Sequence, residues 1–309
     1  MPPNHAATIA ARGAFAAGAS FLLWGLWPLY WRSMESVSAF ELIAHRIVWS
    51  LLLLLLVMLA QRSLPQLWSA FRARRVLAGG LLSGVLLATN WTIYVWAVNN
   101  GHVIDSSLGY FLTPLLNVAL GYLFLHERLR MPEWTAVGFA VAGVMVLLLR
   151  AAHLPWIALS LACSWSLYGV LKKQSSLGPI PGLALEALLL SPVAGTLLLW
   201  RIHSGQSAFA QANPELDVLV LASGVLTTAP LLLYAYGVRR IRLATVGLLQ
   251  YIAPSVQFVL GLWLYNEPFD APRLHACVLI WCGLAIYTAD SFWSQRARFR
   301  PAANTANAA

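Results

Sequence analysis

The stretch Glu41-Leu42-Ile43-Ala44-His45-Arg46 puts an acid, an imidazole and a guanidinium into an otherwise apolar run. Glu41 and His45 are four apart and share a helix face, while Arg46 turns to an adjoining face. Such groups are costly against lipid, so they must face an interior or reach outward to the interface. Two roles are open. Glu41, His45 and Arg46 line the outer mouth of a cavity and bind solute or an ion, or they form an interfacial anchor with an internal ion pair. Imidazole titrates near neutrality in water, which makes His45 the candidate proton carrier.

Amides and aromatics form a second set. Asn90 and Tyr94 share a helical stripe with Trp91 beside it, and Tyr110, Pro114 and Asn117 share another. Gln250, Pro254 and Gln257 repeat that second pattern further along the chain. An amide buried in an apolar setting must find a partner, which is either a neighbouring helix or a solute. If Asn117 and Gln257 both face a common axis, they meet near mid-membrane. Trp24, Trp91, Tyr94, Tyr168, Tyr234 and Tyr251 are candidate walls for an amphiphilic or aromatic solute, or else packing residues. Trp31, Trp200 and Trp293 fit a belt at the interface.

Enzyme motifs are missing. The chain has no phosphate-binding Walker loop, no dinucleotide fingerprint, no nucleophile elbow and no His-Glu-x-x-His. Cys163, Cys277 and Cys282 lack metal-ligand spacing and read as small packing residues. No cofactor or metal is expected, and transport would be driven by an ion or by the solute's own gradient.

The elements that must position these residues are membrane helices. Of 309 residues 60% are hydrophobic and 10% charged, far from the roughly 25% charged of soluble domains. Ten apolar stretches follow one another without the alternation of a membrane strand, so an all-α integral membrane protein of ten helices is expected. The net charge of +9 is not a nucleic-acid signal. Assigning the connections to alternate sides puts 15 of the 20 Lys and Arg on one side, which predicts both termini in the cytoplasm. Lipid is an expected partner, and the oligomeric state is not legible.

The second half repeats the first. Pro114, Gly121, Glu127, Pro132 and Gly143 recur as Pro254, Gly261, Glu267, Pro272 and Gly283, at a constant offset of 140 residues. Ser83-Gly84-Val85-Leu86 recurs as Ser223-Gly224-Val225-Leu226 at the same offset. Five crossings is an odd number, so the halves must be inverted relative to one another. The organisation predicted is a cytoplasmic segment at 1–12, a first five-helix repeat at 13–150, a second at 151–290 and a basic, partly disordered tail at 291–309. Gly84, Pro114, Gly121, Pro254 and Gly261 are expected to supply close helix approach and bending. Glu127 and Glu267 read as helix-start signals, each before a proline at the next helix. Lys172-Lys173 reads as a topology anchor.

Two five-helix halves, each ending in Pro-x6-Gly-x5-Glu, resemble the drug/metabolite transporter superfamily and its EamA-type permeases. Within that group, His45-Arg46-Ile47-Val48-Trp49-Ser50, Asn90-Trp91 through Asn99, and Ser107-Leu108-Gly109-Tyr110-Phe111 through Asn117 resemble the RarD subfamily. The resemblance covers roughly 13 to 290 and implies a bacterial inner-membrane permease with a central cavity and alternating access. RarD proteins are described as chloramphenicol-sensitivity or drug-type permeases, and some relatives export amino acids. The expectation is therefore a secondary transporter, read as an exporter, for a small drug-like, amphiphilic or amino-acid-type solute, with the proton as candidate coupling ion. The rival classes are a membrane-embedded enzyme, which would need clustered acids or a histidine pair, and a non-transporting receptor, which would need a large soluble loop.

Overall fold

The computed structural model describes residues 3–34, 36–100, 102–149, 155–211, 213–264 and 271–299. Among these the chain forms twelve helices and no strand. They are α1 (Pro3–Arg32), α2 (Ala39–Ala60), α3 (Leu64–Arg72), α4 (Arg74–Asn99), α5 (Val103–Leu125) and α6 (Met131–Leu148), then α7 (Trp156–Gln174), α8 (Pro179–His203), α9 (Pro214–Val238), α10 (Leu243–Gln250), α11 (Ile252–Trp263) and α12 (Ala271–Phe299). Proline occupies the first turn of α3, α6, α8 and α9, where its missing N–H costs no bond. The Asn213 side chain caps α9 by accepting from Leu216 N at 3.2 Å. Glu133 accepts from Arg130 N at 2.7 Å and closes the first turn of α6.

Eight stretches are long and apolar enough to cross a membrane, and they lie on α1, α2, α4, α5, α6, α8, α9 and the α10–α11 pair. Leu274–Asp290 within α12 is apolar as well. α7 is not in that set, because serines interrupt it and two lysines close it. α7 lies against α4 and α5, and α12 against α6.

Contacts between the two halves come in matched pairs. α1 packs on α9, and α7 on α4; α1 packs on α10 and α11, and α7 on α5; α2 packs on α9, and α8 on α4. α2 with α8, α5 with α10 and α6 with α12 are each paired across the halves. Glycines set two of these approaches. A Cβ on Gly143 would stand 2.8 Å from Ala276 O, and one on Gly283 would stand 2.7 Å from Ala136 O. Both residues of each contact are repeat partners of the other contact. Gly84 and Gly224 likewise face α8 and α2, with a Cβ at Gly224 only 2.6 Å from the Trp49 Cβ.

Several boundaries differ from the sequence reading. Helix already runs through 3–12 and continues from 291 to 299, so neither flank is a bare segment there. Between α2 and α4 lies the short α3, whose Trp68 is exposed while Leu67 and Ala70 are buried. The two interior prolines act differently. The helix breaks at Tyr251, between α10 and α11 and three residues before Pro254, whereas α5 passes Pro114 unbroken. Glu267 and the repeat boundary at 150–154 lie outside the described residues, as do the tail beyond 299 and the Trp293 side chain.

Candidate functional site

A cavity of about 350 Å³ opens between the halves. Its wall takes Trp24, Trp27 and Trp31 from α1, Arg46 from α2, Asn90, Trp91 and Tyr94 from α4, and Tyr110 from α5. The second half gives Trp165 from α7, Leu231 from α9 and Gln250, Pro254 and Gln257 from α10 and α11. Arg46 is the sole charged residue in this wall among the described residues. It is only 4% exposed. Its Nε donates to Thr227 Oγ1 at 2.8 Å. Its guanidinium carbon lies 4.4 Å from the Trp91 ring centre, 4.5 Å from that of Trp27 and 5.4 Å from that of Trp31. Indole faces carry negative charge density, so three of them partly replace the water this cation has lost.

The polar groups around it are held by neighbouring helices. Asn90 Nδ2 donates to Leu161 O at 2.9 Å and to Ser164 Oγ at 3.0 Å, which joins α4 to α7. Gln257 Nε2 donates to Trp24 O at 3.3 Å. Tyr94 and Tyr110 meet edge to face at 5.9 Å. Thus Asn90, Trp91, Tyr94, Tyr110, Gln250 and Gln257 come together on one cavity with Arg46.

Four expected wall residues, Asn117, Tyr168, Tyr234 and Tyr251, stand behind it. Asn117 is fully buried and donates to Gln250 Oε1 at 3.0 Å, so it meets Gln250 and not Gln257. The proline-flanking amides do not meet, because Asn117 pairs with Gln250 while Gln257 donates to Trp24 O. Tyr234 is also fully buried, stacked 6.1 Å from Tyr168 and against Trp24 and Trp165. Tyr168 and Tyr251 are packed in the same way, behind the wall. Trp31, expected in the interface belt, lines the cavity instead. Pro254 lies in the wall, while Pro114 presents its carbonyl 2.6 Å from where a Cβ on Gly247 would sit. Gly121 lies under Glu127 and Leu243, and Gly261 is buried in α11.

Glu41 and His45 point away from the cavity. Glu41 Oε1 accepts from Ser207 Oγ at 2.8 Å and Ala208 N at 2.9 Å, and its Oε2 accepts from Arg201 Nε at 3.1 Å. It therefore ties the start of α2 to the end of α8 and the segment after it. His45 Nδ1 accepts from Trp49 Nε1 at 3.2 Å, so a neutral ring carries its proton on Nε2. That Nε2 is buried without a hydrogen-bond partner, 3.8 Å from Glu41 Oε1.

The opposite end of the bundle is closed by ion pairs. Lys172 is no exposed anchor: it is 4% exposed and lies 2.7 Å from Glu186 Oε1. Ser83 Oγ also donates to Glu186, and Tyr168 Oη donates to its Oε2 at 3.3 Å. Lys173 sits 3.3 Å from Glu127. Glu127 in turn accepts from Leu243 N at 2.8 Å and Ala244 N at 3.1 Å. The helix start it serves is α10, across the molecule, and not the following α6. Arg242, just outside the spans, is held protonated above the usual arginine range by its hydrogen bonds to Glu133.

Sequence reasoning missed Thr227, Trp27, Trp165 and the Lys172–Glu186 pair as neighbours of this site. Nothing local in the sequence pairs Glu186 with Lys172.

Comparison with known proteins gives consistent results. The model of the EamA-like transporter family matches twice, over residues 11–149 and 155–289. The chain is 40% identical over 289 residues to "Uncharacterized transporter YojE" of Bacillus subtilis, covering 92% of this chain and 95% of that protein. It is 37% identical over 285 residues to "Protein RarD" of Salmonella typhi, covering 92% and 97%. "Chloramphenicol-sensitive protein RarD" of Pseudomonas aeruginosa is 29% identical over 287 residues, covering 92% and 95%. One solved crystal structure shares the fold with a TM-score of 0.71 at 22% identity, covering 92% of this chain and 99% of that one.

Proposed function

The chain belongs to the EamA-like transporter family, as a RarD-like multi-pass membrane permease, and from that premise we propose that it moves a small organic solute by alternating access around the cavity at Arg46. The observation that carries this reading is the cavity itself, whose wall draws on α1, α2, α4 and α5 of one half and on α7, α9, α10 and α11 of the other. A site shared between halves is exposed to either side when the halves rock against each other.

The reading treats the second five-helix unit as the first one inverted. The matched contacts, the reciprocal glycine approaches of α6 and α12, and the double family match support it. With both termini on the cytoplasmic side, as the basic excess favours, the cavity's Trp27, Trp31 and Ala39 rim faces outward. The ion pairs of Glu127, Glu133 and Glu186 then close the cytoplasmic side. Three of these links join opposite halves, which must separate for the solute to pass: α7 to the turn after α5, α6 to the start of α10, and Ser83 of α4 to Glu186 of α8. A two-state cycle needs such interchangeable contacts at each face.

Proton coupling is assigned to His45, with Glu41 as its neighbour. His45 is a buried imidazole with one unpartnered nitrogen. Glu41 holds the outer ends of α2 and α8 together. The test is flux in proteoliposomes with a panel of aromatic amino acids, amphiphilic drugs and organic acids. Accumulation driven by an imposed proton gradient, and abolished by His45→Ala or Glu41→Gln, is the expected result. Flux that follows the solute gradient alone removes the proton from the account. Absence of flux for every solute, from protein that retains its fold, removes transport itself.

A further inference from the structure

We propose that the solute is an organic anion, a monovalent carboxylate on an aromatic or apolar body, and that Arg46 is the seat for its carboxylate. The proposal rests on the transporter reading only for the claim that solute enters this cavity.

The argument is one of charge balance. Arg46 sits 4% exposed at the cavity wall, and only its Nε has a hydrogen-bond partner, Thr227, among the described residues. No carboxylate there lies within 4.0 Å of it. Two carboxylates of the surrounding helices are engaged elsewhere. Glu41, on the same helix, is bound by Arg201, Ser207 and the Ala208 N–H. Glu186 shares a small void with Arg46 but is held by Lys172 and Ser83. Three indoles soften the loss of water without neutralising the charge. A buried cation left with open N–H groups favours an arriving anion, and a guanidinium presents two parallel donors that match a carboxylate.

The rest of the wall narrows the class. One positive charge in an otherwise neutral cavity suits one negative charge, and a second would be left unpaired in low dielectric. A cationic solute would meet repulsion there. Trp24, Trp91, Trp165 and Tyr94 offer aromatic surface to the body of the ligand, and about 350 Å³ limits it to a small molecule.

The experiment uses the indoles beside Arg46 as reporters. Purified full-length protein in neutral detergent is titrated with 3-phenylpropionate, indole-3-propionate and their methyl esters, followed by tryptophan fluorescence. The acids are expected to quench saturably and at least tenfold more tightly than the esters. Arg46→Gln should abolish that preference while melting and eluting as the parent does, and Arg46→Lys should keep part of it. If Arg46→Gln fails to fold, the acid-over-ester preference of the parent and its reduction in Arg46→Lys decide the matter. Equal binding of acid and ester, a preference that survives Arg46→Gln, or no saturable quenching by either acid overturns the proposal. Repeating the titration in phosphatidylcholine nanodiscs with and without phosphatidylglycerol identifies the source of the anion. Competition by phosphatidylglycerol would assign the seat to a lipid headgroup and overturn a soluble solute, and indifference supports it. The two readings fail separately: flux confined to neutral solutes leaves transport standing without the anion, and carboxylate binding without any flux does the reverse.

Discussion

At the scale of single residues, chemistry set apart the right stretch but not the role of each member. An acid, a histidine and an arginine within six residues of apolar chain were legible as unusual from their cost in lipid. Which of them faces the cavity was not, since helical spacing gives shared faces but not what each face meets. Arg46 turns inward to three indoles, while Glu41 is claimed by Arg201 and Ser207, more than 150 positions away in the chain. Only 14 positions separate Lys172 from Glu186, yet Lys172 reads as a surface anchor until α8 folds back and brings Glu186 to it. A buried pair of this kind makes its own prediction. Removing one partner strands the other charge, so Lys172→Met and Glu186→Leu should each cost about 3 kcal/mol. The double variant should cost no more than either single one, which thermal melting in detergent would register as a coupling of about 3 kcal/mol. Additive losses would mean that the two side chains do not meet.

At the scale of elements, apolar runs located the helices well, because a membrane leaves the backbone no other way to satisfy its hydrogen bonds. Asn99 ends α4 where its polar tail begins, and the first apolar run appears as α1. Depth and continuity were harder to read. Pro114 and Pro254 occupy equivalent positions, yet one helix stays whole and the other breaks at Tyr251. α5 runs close against Gly247 of α10, where Pro114 O would contact any added Cβ. Small residues decide where helices touch, and repeated glycines were the legible trace of that. Gly143→Ala and Gly283→Ala should both be destabilising, by about 1–3 kcal/mol, since each added methyl strikes a backbone carbonyl of the facing helix. Gly138→Ala, in the same helix as Gly143 with nothing within 4 Å, should be neutral or slightly stabilising. Equal melting temperatures for all three would show that α6 and α12 do not approach as closely as described.

At the scale of the whole molecule, the repeat offset of 140 residues carried the most information about architecture, because it pairs residues of the two halves, as in the reciprocal approaches of Gly143 and Gly283. It did not disclose how the halves divide the labour. The tryptophans of α1 and the arginine of α2 belong to one half, while the amides at the break between α10 and α11 belong to the other. The central claim is that this shared cavity is reached from one face at a time. It is tested most directly by a single cysteine at Gln257, a half-buried wall residue, with Cys163, Cys277 and Cys282 replaced by alanine. A membrane-impermeant thiol reagent is applied to intact cells and to inverted vesicles. The account predicts modification from the outside, with little from the inside, and a reversal of that preference when Glu127→Gln and Lys173→Met release the cytoplasmic ion pair. Modification that is equal from both faces, or unchanged by opening that pair, would contradict it.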